Sequence, residues 1–148
     1  MMWSIVQLRR NCAFIYTPVF FLHVLFFISA IPLPQSRLDW SIIFKLVSLN
    51  VKGLSDFRKR RTIFVWCRKR YADFVFLQET HSTIATENQW KNEWGAETIT
   101  CHGGSNSRGF AILIKNGDDC TIYRKILDLL GRYIILKAQI LETISKRF

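Results

Sequence analysis

The sequence predicts a mixed α/β domain over residues 37–148, behind an apolar segment over residues 1–36. Three observations support this prediction. Two short apolar runs, at 43–50 and 73–78, have the composition of strands. A basic amphipathic pattern at 56–70 lies between them, and it indicates a helix. Short strand-like runs separated by turn residues then follow to the end of the chain.

The composition is that of a globular protein with a basic surface. Of the 148 residues, 49% are hydrophobic and 14% are aromatic, which excludes an intrinsically disordered chain. The formal net charge is +10, and residues 1–36 contribute only Arg9 and Arg10 to it, so residues 37–148 carry +8. This charge favours a polyanionic partner, with nucleic acid first and an anionic membrane second. A basic protein without such a partner is the alternative.

The N-terminal segment is apolar enough to enter a membrane. Residues 12–33 contain no Asp, Glu, Lys or Arg, and a bilayer core needs about 20 such residues. Arg9 and Arg10 precede this run, as they would in a signal anchor or a signal peptide. The pattern predicts an apolar helix and a membrane location. The alternative is a segment unrelated to the domain behind it, with a nuclear or cytoplasmic location.

The elements of the domain follow from periodicity and from turn residues. Adjacent Leu46 and Val47 predict that the first strand is buried on both faces. Trp90 and Trp94 are four residues apart and therefore share one face of the second helix. We predict strands at 43–50, 73–78, 97–101, 110–114, 121–123 and 132–138, a helix at 56–70 capped by Ser55 or Asp56, and a helix at 83–94 ended by Gly95.

Two polar side chains follow the first two strands. Asn50 ends the first strand and Glu79 follows the second, so the pair would meet at one edge of the sheet, where α/β proteins usually place their chemistry. Glu79, with Asn50 and His81 beside it, could hold Mg²⁺, a cation that uses one or two carboxylates together with water and substrate phosphate. The cation would polarise a scissile phosphate. An ordinary surface carboxylate and a structural histidine are the alternatives.

The first helix is densely basic on the side opposite its apolar stripe. This face would track a phosphate backbone or would simply be solvated. Its basic residues are Arg58, Lys59, Arg60, Arg61, Arg68, Lys69 and Arg70.

Several motifs together resemble the exonuclease–endonuclease–phosphatase superfamily. The pair Ser48-Leu49-Asn50-Val51-Lys52-Gly53-Leu54 and Leu77-Gln78-Glu79-Thr80-His81 is the most specific part of the resemblance. Trp94-Gly95, Gly109-Phe110-Ala111-Ile112-Leu113 and Gly131-Arg132-Tyr133-Ile134-Ile135-Leu136 continue it over about residues 43–140. Within the superfamily, the chain is most similar to the endonuclease domain of non-LTR retrotransposons, which resembles apurinic/apyrimidinic endonucleases.

The resemblance implies a four-layer α/β sandwich of the deoxyribonuclease-I-like type, with mainly antiparallel sheets. It implies Mg²⁺-dependent nicking of DNA, with Glu79 as the metal ligand and with Asn50 and His81 as site residues. Lys52, Arg58, Lys59 and Arg61 would contact the nucleic acid. Lys52 departs from the pattern, because apurinic endonucleases have Asp there.

The resemblance also predicts an incomplete active site. The family supplies a site Tyr, an Asp-x-Asn pair and an Asp-His pair, and the sequence contains neither of these pairs. We therefore expect the N-terminal half of such a domain, truncated, with little or no nuclease activity and with one apolar face of its first sheet uncovered. The alternative is a membrane-anchored basic module, held by residues 12–33, which binds nucleic acid or acidic lipid without catalysis.

Overall fold

Two helices and eight strands make up the part of the chain that the structure describes. The structure is a computed structural model that describes residues 13–16, 23–30, 45–104, 108–115 and 120–140. The strands are β1 (Ala13–Tyr16), β2 (His23–Ala30), β3 (Leu46–Asn50), β4 (Phe74–Gln78), β5 (Thr98–Cys101), β6 (Phe110–Ile114), β7 (Cys120–Leu127) and β8 (Tyr133–Ile140). The helices are α1 (Phe57–Lys69) and α2 (Glu87–Trp94), and a short 3₁₀ helix (Ile84–Thr86) precedes α2.

The strands form two sheets of four. One sheet has the order β3-β4-β6-β5, and the other has the order β1-β2-β8-β7. In the first sheet, β3 and β4 are parallel, whereas β6 is antiparallel to both β4 and β5. In the second sheet, β2 is parallel to β8, and the remaining pairs are antiparallel. The mixed, mainly sheet fold predicted from the sequence is therefore confirmed at this level.

The first sheet is covered on both faces. On one face, Val47, Leu49, Val75 and Leu77 pack with residues of α1 and α2. On the other face lies a second core, in which Leu46, Phe74, Phe76, Phe110, Ile112 and Ile114 pack with Ile134, Leu136 and Ala138 of β8. The expectation of an uncovered face is therefore wrong, because β8 brings its own apolar side chains against it.

Local sequence sets the start of α1 and the end of α2 as predicted, whereas α2 begins at Glu87, after the 3₁₀ helix, and not at residue 83. The Asp56 side chain accepts a hydrogen bond from the Lys59 N–H at 2.7 Å, which caps the first turn of α1. Gly95 ends α2 with φ +78°, a left-handed conformation that favours glycine. Trp90 and Trp94 are both buried, and their rings lie edge-on to Phe64 of α1.

The N-terminal segment differs from its prediction. Ala13–Tyr16 and His23–Ala30 form strands, so the apolar helix predicted there is wrong at these residues. Residues 1–12, 17–22 and 31–44 lie outside the described residues. The physical reason is composition: the segment is rich in β-branched and aromatic residues, which favour strands. Among the described helices, neither has the length and apolar character that a membrane crossing needs.

The prediction that Arg60 belongs to the basic outer face of α1 is also wrong, because Arg60 is buried. Its side chain is 3% exposed and forms a fork with Glu93 of α2, with nitrogen–oxygen distances of 2.6 and 2.8 Å. Its remaining nitrogen donates to the Leu54 carbonyl at 2.8 Å. Arg60 thus joins α1, α2 and the segment that follows β3. The guanidinium also lowers the pKa of Glu93, chiefly through its hydrogen bonds.

Arg60→Ala should lower the free energy of unfolding by about 3 kcal/mol, because it removes the cationic partner of Glu93 and the donor to the Leu54 and Ser55 carbonyls. Urea unfolding of both proteins measures this difference. Arg61→Ala is the matched control: this neighbour is exposed, and its loss should change the free energy by no more than about 0.5 kcal/mol. Equal effects of the two variants would contradict the structural role of Arg60.

Candidate metal centre at the strand ends

The carboxyl ends of β3 and β4 bring Asn50 and Glu79 together. The two strands are parallel, and Asn50 lies opposite Gln78, the residue before Glu79. Asn50 Nδ2 donates to Glu79 Oε1 at 2.8 Å, and Asn50 Oδ1 accepts from the Lys52 N–H at 3.1 Å. Both ends of the amide are therefore engaged, and Asn50 orients the carboxylate. Within the described residues, Glu79 Oε2 has no hydrogen-bond partner.

Backbone hydrogen bonds hold the segment after β4 on both sides. On one side, the Gly53 N–H donates to the Glu79 carbonyl at 2.6 Å and the Leu54 N–H donates to the Thr80 carbonyl at 2.9 Å. On the other side, the Thr80 N–H donates to the Gly109 carbonyl at 3.1 Å. Because these bonds come from two different loops, the position of Glu79 depends on the tertiary fold.

The backbone at this edge is in an unusual conformation. Five non-glycine residues in the described part of the chain have positive φ, and four of them lie at the Asn50–Glu79 edge. Each such conformation costs on the order of 1 kcal/mol and persists where surrounding contacts enforce it, as at many functional sites. The four are Lys52 (φ +47°), Glu79 (φ +54°), His81 (φ +52°) and Arg108 (φ +66°).

His81 and Thr80 lie beside the carboxylate with different environments. The His81 ring packs on Gly53, where an added Cβ would be 3.0 Å from Nδ1. In the described structure no hydrogen bond joins this ring to Glu79. Thr80 is fully buried and faces Gly109, where a Cβ would be 2.7 Å from the Thr80 hydroxyl. Thr80 is therefore a packing residue, and His81 is half-buried at the rim.

A polar chain that the sequence analysis did not predict supports the same segment. The buried Ser82 hydroxyl lies 3.2 Å from the Thr80 hydroxyl and 3.0 Å from His102 Nδ1. His102 Nε2 lies 2.9 Å from Glu87 Oε1, which also accepts from Thr100. The hydrogen bond from Thr100, followed by the contacts with His102, lowers the pKa of Glu87. No local motif links these residues, since they come from three different parts of the chain.

The four basic residues predicted to contact nucleic acid divide between two surfaces. Lys59 Nζ donates to the Lys52 carbonyl at 3.1 Å, which places both residues at the rim of the Asn50–Glu79 edge. Arg58 and Arg61 instead line a shallow cavity of about 650 Å³ on the outer face of α1, beside Trp66.

The donor set at this edge fits a cation that is held by few protein ligands. In the described ranges no three His, Cys, Asp or Glu side chains cluster as a metal site. A single carboxylate with one free oxygen suits Mg²⁺, which keeps water ligands and is completed by substrate phosphate. It does not suit structural zinc, which needs four side-chain ligands.

The structure therefore brings Asn50, Glu79 and Lys52 together and places His81 beside them. No protein-family model matches the sequence.

Gly109→Ala should disturb this edge more than a glycine replacement elsewhere. Its Cβ would meet the Thr80 hydroxyl at 2.7 Å, so the segment after β4 would have to shift. Gly95→Ala is the matched control, because Gly95 also has positive φ but an added Cβ there meets nothing within 4 Å. We expect Gly95→Ala to cost about 1 kcal/mol, and Gly109→Ala to cost at least about 1 kcal/mol more. Similar chemical denaturation midpoints for the two variants would contradict this packing.

Glu87→Gln should reduce stability in a pH-dependent way. The folded pKa of Glu87 lies below its ordinary value of 4.5, so its charge stabilises the fold above that pH, and this contribution is lost as the pH falls through the folded pKa. The difference in unfolding free energy between wild type and variant should be largest near neutral pH and should shrink below pH 4.5. Thr100→Val, which removes the largest cause of the shift, should reproduce part of the loss. A difference that does not change with pH would contradict the assignment.

Proposed function

We propose that the edge formed by Asn50 and Glu79 binds magnesium and a DNA phosphodiester, in a domain of the exonuclease–endonuclease–phosphatase type. The domain is most similar to the endonuclease of non-LTR retrotransposons. One observation carries the proposal: the 2.8 Å hydrogen bond from the Asn50 amide to the Glu79 carboxylate across two parallel strand ends. It holds one carboxylate oxygen in place and leaves the other for a cation.

The architecture supports the proposal at a coarser level. A layer of two helices covers one sheet, and a second sheet covers its other face. Three layers in this order are compatible with a four-layer sandwich of the deoxyribonuclease-I-like type. The Asn50–Glu79 edge lies at the carboxyl ends of two parallel strands, a common position for sites in sheet proteins.

Electrostatics favour a polyanionic substrate at this edge. Residues 37–148 carry a formal charge of +8, which attracts nucleic acid over long range. The Lys59 ammonium group lies at the rim, against the Lys52 carbonyl, and the Lys52 side chain adds a second positive charge to the same segment, so phosphates next to the bound one would pass near both charges. Both residues are exposed, so they remain available to a ligand.

Glu79 and Asn50 would have different roles at the site. Glu79 would hold the cation, and Asn50 would keep the carboxylate oriented. The cation, when bound, neutralises and polarises the phosphate. In the resembling family, hydrolysis also uses an Asp-x-Asn pair and an Asp-His pair to position and activate water. Neither pair occurs in these 148 residues, so we expect this chain alone to bind DNA with magnesium but to cleave it little.

Glu79→Gln should abolish the magnesium-dependent part of DNA binding, while the magnesium-independent part stays the same or becomes stronger, because the variant removes one negative charge from the site. The reason is that the amide is nearly isosteric but cannot neutralise the cation. Fluorescence anisotropy with a labelled DNA duplex, with and without Mg²⁺, measures both parts. A plasmid-nicking assay on the same samples should show little activity. Strong nicking that depends on Glu79 would show that the missing pairs are not required.

Lys59→Ala should weaken DNA binding and reduce the slope of log affinity against log salt by about one, because one phosphate contact is lost. Lys69→Ala is the matched control, since it removes the same charge about 15 Å further along the helix. Equal losses would indicate diffuse attraction and not a site at the edge. Anionic vesicles serve as competitor: if they bind as tightly as DNA and independently of Mg²⁺, the membrane alternative replaces the present proposal.

A further inference from the structure

A buried acceptor without a partner lies next to the Asn50–Glu79 edge. Gln78 is 2% exposed, and its Nε2 donates to the Ser48 hydroxyl at 3.1 Å. Its carbonyl oxygen, Oε1, is buried and has no hydrogen-bond partner among the described residues. Leaving such a group unsatisfied costs about 1–3 kcal/mol, and this makes Gln78 an exception within its strand that calls for a cause.

The register of the sheet places this acceptor on the face that carries Asn50. Asn50 and Gln78 are paired across the parallel strands, and Ser48 lies two residues before Asn50. Side chains alternate along a strand, so the three share one face. Lower on that face, Leu46, Phe74 and Phe76 form the core between the sheets. The face is thus apolar at its start and polar at its carboxyl end.

The side chains around Gln78 do not supply a donor for Oε1. Asn50 Nδ2 donates one hydrogen to Glu79, and its oxygen accepts from Lys52; its second amide hydrogen does not reach Gln78 Oε1, which has no partner in the described structure. The Glu79 carboxylate only accepts, and the cross-strand neighbour of Gln78 on β6 is Phe110. A phosphate oxygen cannot satisfy Oε1 either, because it is an acceptor too. The missing donor therefore comes from outside the described side chains, as a bound water molecule does.

We propose that Gln78 is a positioning residue that accepts a hydrogen bond from a water ligand of the cation at Glu79. This inference rests on the proposed function, and it adds the state of the ion: a divalent cation that keeps part of its hydration shell. Mg²⁺ gives up its waters reluctantly, and such waters are strong donors. Ser48 fixes the Gln78 amide through its hydrogen bond from Nε2, and Oε1 is the end left to accept from that water. Residues of this outer shell typically change metal affinity by 10- to 100-fold.

Gln78→Met tests the inference with two readouts that move in opposite directions. Without metal, the variant should unfold at the same temperature as wild type or higher, because it replaces an unsatisfied polar atom by an apolar group. With metal, it should bind Mn²⁺ about tenfold more weakly, measured by electron paramagnetic resonance of the free ion. A purely structural glutamine gives the reverse: a lower melting temperature and unchanged Mn²⁺ affinity.

Two further variants keep the test decisive. Ser48→Ala removes the hydrogen bond that orients the Gln78 amide, and it should also weaken Mn²⁺ binding. This variant serves as the test if Gln78→Met fails to fold. Gln89→Met makes the same chemical change on α2, where Gln89 donates to Glu93, and it should leave Mn²⁺ affinity unchanged.

Failure of the inference can be told apart from failure of the proposed function. If Glu79→Gln abolishes Mn²⁺ binding while Gln78→Met and Ser48→Ala bind as wild type does, only the inference about Gln78 is overturned. If wild type and Glu79→Gln bind Mn²⁺ equally, or neither binds it, the cation site itself is overturned and the inference with it.

Discussion

The parallel pairing of β3 with β4 is the constraint on which the candidate site depends. Parallel neighbours run in the same direction, so their carboxyl ends lie at one edge, and the register sets Asn50 beside Gln78. A slip of one residue would turn Asn50 to the opposite face and would separate it from the Glu79 carboxylate. Parallel strands also need a crossover connection. Here α1 provides it, and the helix therefore belongs to the construction of the site as much as to the core.

Arg60 connects that crossover to the loops at the edge. A charged group inside a protein persists only when its charge and its donors are satisfied. Arg60 meets both conditions through Glu93 on α2 and through the carbonyls of Leu54 and Ser55. Those carbonyls follow directly on the loop that carries Lys52 and Gly53. The ion pair thus holds both helices against the segment that approaches Glu79.

Departures from ideal local structure concentrate at one edge of the molecule. Four left-handed non-glycine residues lie there, together with a buried glutamine whose oxygen has no partner. Elsewhere in the described core, side chains are apolar or have satisfied polar groups, with the Trp90 ring nitrogen as the exception. Strained backbone and incomplete hydrogen bonding raise the free energy of the folded state, and such features typically occur where a ligand contributes the missing contacts.

Local patterns in the sequence determined most of the secondary structure after residue 45. Short continuous apolar runs placed β3, β4 and β6, and Asp56 and Gly95 set helix ends because capping depends on one or two residues. The meeting of Asn50 with Glu79 also followed from the sequence, since both come directly from strand ends. The tertiary structure alone decided that Arg60 is buried and that Thr80, Ser82, His102 and Glu87 form a hydrogen-bonded network. It also decided that Gln78 Oε1 lacks a partner among the described residues and that β8 covers the first sheet. These depend on contacts between different elements, such as Arg60 with Glu93 and Gln78 with Ser48, and neither composition nor periodicity encodes which distant side chain will arrive as a partner.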